Sequence, residues 1–372
     1  MLQGGGALGA YQAGVFEGLS ADYRELTWVA GISIGAINAA LVVGNPPDRR
    51  VQRLREFWEL LSSAVPSPAA AFVVPINARE AVNSASASQA MMFGVPGFFS
   101  PRLLPAPLQP PGTLEAISYY DTTPMRRTLE KLVDFDRINA GPMRLSVGAV
   151  NVRTGNFEYF DSAKRPLDAR HIMASAALPP GFAPVEIDGE YFWDGGLVSN
   201  TPLQYVLDQP GKKRRVVFQV DLFAAKGELP TTLAEVTERE KDIRFSSRTR
   251  QATTAELDRQ IMAQAAQRFI GRLPATLRND PDLLALAAMR CESAVDVVHL
   301  IYRSKHYESQ SKDYEFSRLS MREHWANGRS DTELTLHDPR WTKRERTESG
   351  VRVFDLSRAG PDMASSPRKP SR

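Results

Sequence analysis

Three short blocks carry residue types able to do chemistry. The sharpest is Gly31-Ile32-Ser33-Ile34-Gly35. A serine with glycine two residues away on each side fits a tight strand-to-helix turn. That turn strains the serine backbone, and a side chain at either glycine position would collide. It lifts Ser33 Oγ out of a sheet and sets it at a helix N-terminus. There the backbone N–H groups and the helix dipole favour negative charge. The chemistry is nucleophilic attack. The plainer alternative is a strand–helix turn that needs a small residue for packing.

The second block, Gly4-Gly5-Gly6-Ala7-Leu8-Gly9, fits two patterns. As GxGxxG it would cradle a dinucleotide, which also needs an acidic residue at the end of the next strand. Asp22 and Glu25 precede that strand instead, and the strand ends in the serine turn. As a glycine-rich oxyanion loop, the N–H groups of Gly4, Gly5 and Gly6 would converge on one point. They would hold the charge that develops when Ser33 attacks an ester.

A nucleophilic serine needs a base. The histidines are His171, His299, His306, His324 and His337, and none lies in a glycine-marked loop. A Ser…Asp…His order would admit His299 or a later histidine as a third member. His299 sits in the apolar run Val297–Ile301 and reads as a core or helix histidine. Trp193-Asp194-Gly195-Gly196 follows a hairpin strand, and its two glycines would let Asp194 approach another loop closely. Read alone, that triplet is an ordinary turn.

These blocks need a scaffold. Ala10–Leu19 follows a helical period, Leu26–Ala30 is a short strand-forming run, and Ile34–Val43 is a helix stopped by Gly44-Asn45-Pro46. Strand, glycine turn and buried helix imply a parallel α/β sheet. Only Met1–Gln3 precede the glycines, so the first strand is very short or the natural start lies upstream. From about Pro66 to Gly112 the chain is rich in Pro, Ser and Ala, and its breakers forbid a long helix. The segment 66–112 is expected to be a lid or insert, with Met91–Leu108 as an interfacial cover over Ser33 or simply as cover for the core.

A helix is expected near Pro124–Val133, with strands at Arg144–Val152 and Asn156–Phe160. A helix at Ala169–Ala177 should follow. Asp188-Gly189 should turn a hairpin between Val185–Ile187 and Glu190–Phe192. Val216–Leu222 is a strand candidate. The division expected is a catalytic domain over 1–230, a helical and charged C-terminal extension over 231–345, and a disordered tail over 361–372.

Composition narrows the field. The chain has 372 residues, 42% hydrophobic and 24% charged, with 46 basic against 43 acidic residues and a net charge of +3. This is a globular balance with no basic excess for nucleic acid. Mild attraction to anionic lipid is compatible with it. Cys291 is the single cysteine, so no internal disulfide can form, and its surroundings read as packing. No apolar run reaches the ~18 residues of a membrane span. No secretory signal is evident, so a cytoplasmic protein, peripheral at the inner membrane face, is expected.

In this order the three blocks resemble the patatin-like phospholipase family. The matches are the loop Gly4–Gly9, the elbow Gly31–Gly35 and the triplet Asp194-Gly195-Gly196. A fourth block, Ala174–Phe182, is similar to the segment that precedes the family's aspartate. The resemblance covers about Met1 to Leu222. Tyr314–Arg318 and His324-Trp325 are similar to an extension found in a bacterial subgroup. The resemblance implies a three-layer α/β fold with a central, mostly parallel sheet. It also implies a Ser33–Asp194 dyad without histidine and an oxyanion hole from Gly4, Gly5 and Gly6. Phospholipid or lysophospholipid acyl esters would be cleaved through an acyl-serine, with no metal or other cofactor. Leu8 stands where many members carry a basic residue. Another ester or thioester hydrolase, or an acyltransferase, would use the same groups. A non-enzymatic lipid- or granule-surface binder is the reading from a different class. The oligomeric state is not legible.

Overall fold

The N-terminal elements follow from local pattern. In the computed structural model, α1 spans Gly9–Leu19, β1 Trp28–Ile32 and α2 Ile34–Val43. Every residue of α2 is buried, as a helix without a polar face must be. α3 (Arg50–Leu61) closes over it with Leu54, Phe57, Trp58 and Leu61 inward. The structure describes residues 1–23, 26–64, 76–208, 214–246, 280–288, 294–305, 307–345 and 350–356, with short runs between 254 and 274. Cys291, the tail 361–372 and residues 66–75 of the expected insert lie outside the described residues.

The first departure from expectation is α4, an 18-residue helix over Ile76–Phe93. Breakers do not prevent it, because Pro75 and Gly94 bracket it and neither type occurs within. Its alanine-rich interior costs little in the helical state. Gly94 (φ 80°) takes the left-handed conformation that ends the helix, and its N–H donates to Ala90 O at 2.9 Å. Beyond it, β2 (Ser100–Pro101) pairs antiparallel with β3 (Tyr120–Asp121).

The segment expected to form a lid divides in two. Phe98 and Phe99 are buried and pack on each other and on Phe182. Met91, Met92, Phe93, Leu103, Leu104 and Leu108 face solvent.

Two helices, α5 (Thr123–Leu132) and α6 (Phe135–Ala140), lead into β4 (Arg144–Asn151) and β5 (Phe157–Asp161). Then come α7 (Ala169–Ser175), β6 (Val185–Ile187), β7 (Glu190–Asp194), α8 (Leu203–Asp208) and β8 (Arg214–Asp221). Asp188 (φ 53°) and Gly189 (φ 82°) make the β6–β7 turn, both left-handed, the geometry a two-residue hairpin turn favours. The C-terminal region holds α9 (Leu233–Phe245), α10 (Pro281–Ala288), α11 (Arg318–His337) and α12 (Pro339–Thr342). It also supplies two strands not anticipated, β9 (Ala294–Ile301) and β10 (Gly350–Asp355).

The central sheet is mostly parallel. β1 pairs parallel with β4, and β8, β9 and β10 run parallel in the order β8–β9–β10. Leu2 joins the two sets, bridging Gly31 of β1 and Val220 of β8 in parallel register. Leu2 N–H donates to Ala30 O (2.8 Å), Ile32 N–H to Leu2 O (3.1 Å) and Gln3 N–H to Val220 O (3.1 Å). A three-residue strand thus carries the chain directly into the glycine loop. β5, β6 and β7 run antiparallel to their neighbours. β4 is buried at every position but its first, so both faces of the sheet are covered.

Helix α11 packs on α1 with almost no gap. A Cβ at Gly14 would stand 1.9 Å from Trp325 O, and one at Gly328 would stand 2.1 Å from Tyr11 O. Among the described residues, no helix is long and apolar enough to cross a membrane.

Candidate active site

Strand β4 brings Ser33 and Asp194 together. β5 covers Ser146–Val150 along one edge of β4. That range overlaps the partners of both β1 (Arg144–Gly148) and β7 (Ala149–Asn151). Both must therefore lie on the other edge. β1 ends with Ile32 opposite Gly148, and antiparallel β7 arrives with Asp194 opposite Ala149, the next residue. Ser33 and Asp194 meet where the two strand ends converge.

Ser33 has φ 55° and ψ −125° and caps α2. Asp188 is the other non-glycine residue with positive φ among the described residues. Such a conformation costs on the order of 1–3 kcal/mol and persists only where the surroundings impose it. The flanking glycines show how they do so. A Cβ on Gly31 would lie 2.3 Å from Gly35 O, and one on Gly35 would lie 2.3 Å from Leu2 O. Ser33 N–H is held by Ser175 at the end of α7, 3.1 Å from both its carbonyl oxygen and its Oγ.

Asp194 is 1% exposed, and its backbone N–H donates to Ala177 O at 3.0 Å. The block Ala174–Phe182 therefore fastens both Ser33 and Asp194. The carboxylate accepts Gly196 N–H at 2.7 Å. Burial pushes its pKa up to about 7, against the pull of the nearby Ser33 hydroxyl and the Gly196 amide. Gly195 must be glycine for packing, because a Cβ there would meet Gly148 O at 2.6 Å.

In the glycine loop, Gly4 is buried, whereas Gly5 and Gly6 are partly open to solvent. The expectation that Gly4 donates to an oxyanion needs correction. Its N–H is directed to Asn200 Oδ1 at 3.2 Å. The next amides that bond within the protein are Ala7 N–H, to Asp313 O at 2.7 Å, and Leu8 N–H, to Gly5 O at 3.1 Å. Among the described residues, the amides of Gly5 and Gly6 have no acceptor. Gly6 has φ 52°, and a Cβ there would lie 2.0 Å from Asp313 O. Gly9 admits no side chain either, with Ile34 Cγ1 at 2.6 Å. Leu8 is buried in the core and turned away from solvent.

A buried amide network braces the loop from behind. Gln12 Nε2 donates to Gln3 O (2.7 Å), and Asn38 Nδ2 donates to Gly9 O and Gln12 Oε1 (both 2.9 Å). Trp58 Nε1 donates to Asn38 Oδ1 at 3.0 Å. Gln3 Oε1 accepts the N–H groups of Leu222 (2.6 Å) and Phe223 (3.0 Å). Sequence reasoning missed Gln3, Gln12, Asn38, Ser175 and Asn200. Their signal is faint: isolated amides and a serine inside otherwise apolar or glycine-marked segments.

The described histidines have partners elsewhere. His171 bonds Asp168, His299 pairs with Asp221, His324 bonds Glu308, and His337 bonds Glu333 O. None of the four bonds Ser33 or Asp194, and His306 lies outside the described residues. Burial alone would discharge His299, but the Asp221 carboxylate raises its pKa. Among the described residues, no cluster of three or more His, Cys, Asp or Glu could hold a metal.

A family model described as patatin-like phospholipase matches residues 1–207, and a second, described as patatin phospholipase, matches 243–348. No curated protein matches the chain. Among solved structures, VipD from Legionella pneumophila aligns at 16% identity with a TM-score of 0.34. That alignment covers 87% of this chain and 66% of VipD.

Proposed function

The chain belongs to the patatin-like phospholipase family, and from that membership and the site geometry we propose that it is a serine lipid acyl hydrolase. The observation that carries this reading is the buried Asp194 carboxylate, facing the Ser33 side chain with its pKa raised into the neutral range. A base with that affinity can take the serine proton and return it near pH 7. Ser33 Oγ attacks the acyl carbonyl carbon as its proton passes to Asp194. The tetrahedral oxyanion is held by the amides of Gly5 and Gly6 in the glycine loop. Collapse transfers that proton to the departing alcohol and leaves an acyl-serine. Water, deprotonated by Asp194, then releases the fatty acid and restores Ser33.

The substrate class is a phospholipid or lysophospholipid acyl ester. The surface beside the site suits a lipid aggregate. Leu178 follows the carbonyl that anchors Asp194, and Leu197 and Val198 follow Gly196; all three are exposed. Tyr119 N–H bonds Pro180 O (3.1 Å), and Tyr120 Oη bonds Met91 O (2.7 Å). These contacts extend the apolar surface to Met91, Met92 and Phe93. Peripheral contact with a membrane through this rim is part of the proposal.

The test is incubation of purified protein with a panel of lipid esters and an alcohol acceptor, with Ser33→Ala as control. Free fatty acid lost in Ser33→Ala supports the hydrolase. Acyl transfer to the alcohol in place of free acid would make the protein a transferase. Lipid binding without turnover, and without fluorophosphonate labelling of Ser33, would make it a binder.

A further inference from the structure

We propose that Asn200 is a positioning residue that sets the oxyanion loop and ties it to the C-terminal region. This rests on the hydrolase reading above. Asn200 is buried, and its side-chain amide takes hold of one residue from both sides. Oδ1 accepts Gly4 N–H at 3.2 Å, and Nδ2 donates to Gly4 O at 3.0 Å. Binding the N–H and the C=O of one residue reproduces what a neighbouring strand does in a hydrogen-bonded pair. It fixes the peptides on both sides of a glycine that would otherwise be the freest residue in the loop. The amides of Gly5 and Gly6 then extend from a fixed base.

Asn200 acts where the reacting groups are. A Cβ on Gly4 would stand 2.4 Å from Asn200 Oδ1 and 3.0 Å from Ser33 Cβ. A Cβ on Gly196 would stand 3.1 Å from Asp194 Oδ1 and 3.2 Å from Asn200 Oδ1. The amide oxygen is therefore wedged between the glycine loop and the aspartate loop. Loss of the side chain would open a gap beside Gly4 on the same side as Ser33.

The second donation from Nδ2 goes to Phe245 O, at 2.9 Å, the last residue of α9. Gln3 Nε2 donates to the same carbonyl at 3.0 Å. Further along the loop, Asp313 O accepts Ala7 N–H, and the Asp313 side chain is paired with Lys241 of α9 at 2.5 Å. The C-terminal region thus grips the loop before and after its two open amides. Displacement of the α9 end would be felt by the oxyanion donors through Asn200. Preorganised donors of this kind are worth ~10²–10³ in kcat apiece when removed, so loosening both should cost a sizeable part of that.

The experiment combines amide hydrogen exchange with kinetics on the full chain, comparing wild type and Asn200→Ala. Exchange over residues 2–10 should quicken about tenfold while the sheet strands stay as protected as in wild type. kcat for a soluble short-chain ester should fall ~10–100-fold with KM within about threefold, the signature of a lost transition-state interaction. If Asn200→Ala does not fold, Asn200→Asp serves the same measurement, since it keeps an acceptor for Gly4 N–H and loses both donations. Unchanged exchange over residues 2–10 overturns the proposal, and so does wild-type kcat. If the wild type turns over no ester, the hydrolase reading falls, and exchange still decides whether Asn200 holds the loop.

Discussion

In the proposed mechanism Ser33 and Asp194 divide the chemistry between a strained nucleophile and a buried acid, and each makes a separate prediction. Ser33→Ala and Asp194→Asn should each lower turnover at least ~10³-fold with the fold intact. His299→Ala should leave much more activity, because His299 pairs with Asp221 and not with the serine. A loss as large as that of Ser33→Ala, without unfolding, would reinstate a histidine base. The raised pKa of Asp194 sets the pH response. The reacting form is the carboxylate, so kcat/KM should rise about tenfold per pH unit up to about 7 and then level off.

Stability runs the opposite way. The folded protein holds this proton more tightly than the unfolded chain does. The contribution is full below the unfolded value of 3.8 and is lost as pH rises through about 7. Asp194→Asn has no such loss. Between pH 5 and 8 it should gain about 3 kcal/mol on wild type, at ~1.4 kcal/mol per pH unit up to the folded pKa. Paired thermal melts across that range measure it, and a constant difference would mean that Asp194 titrates normally.

At the scale of elements, the elbow and the segment after α4 behave differently. Gly35→Ala would drive a Cβ against Leu2 O, in the short strand that leads into the glycine loop. It should abolish soluble expression or lower the melting temperature sharply, and a well-folded, active Gly35→Ala would contradict the geometry. The exposed residues Phe93, Leu103 and Leu104 allow the opposite experiment. Changing all three to serine should leave melting and soluble-ester turnover unchanged. Action on lipid vesicles should drop more than tenfold, since each side chain withdrawn from lipid forgoes ~1.5–3 kcal/mol. Phe98→Ser is the contrast, because Phe98 packs on Phe99, Phe182 and Phe316. It should lower the melting temperature and every activity together. A triple variant that destabilises in the same way would assign the exposed residues to the core as well.

For the molecule as a whole, the question is whether residues 1–230 can stand alone. β9 pairs with β8 along its whole length, from Arg214↔Ala294 to Asp221↔Ile301. α11 covers α1, with the glycines at 14, 18 and 328 at the contact. Removal of everything after residue 230 would strip β8 of a partner and expose the apolar face of α1. The shortened chain should aggregate, or unfold without a cooperative transition, and should not react with a fluorophosphonate. A soluble, cooperatively melting, labelled fragment would show that the C-terminal region is an appendage.

Much of the site was legible because its causes are local. Gly31, Ser33 and Gly35 announce a turn that backbone sterics permit to few sequences. Asp188-Gly189 dictates a hairpin, and Ile34–Val43, apolar but for Asn38, reads as a buried helix. Where the signal was not local, the sequence misled or was silent. Ile76–Phe93 looked broken because its prolines lie close by, though none falls inside it. Ala294–Ile301 is an apolar run whose periodicity cannot separate a buried strand from a buried helix. Tertiary structure alone decided that Asp194 stands beside Ser33, because that depends on where β1 stops and β7 starts along one edge of β4. It also decided that Gly4 N–H faces Asn200, leaving the amides of Gly5 and Gly6 open. A glycine's sequence permits many directions for its N–H, and only the neighbours that fold against it select one.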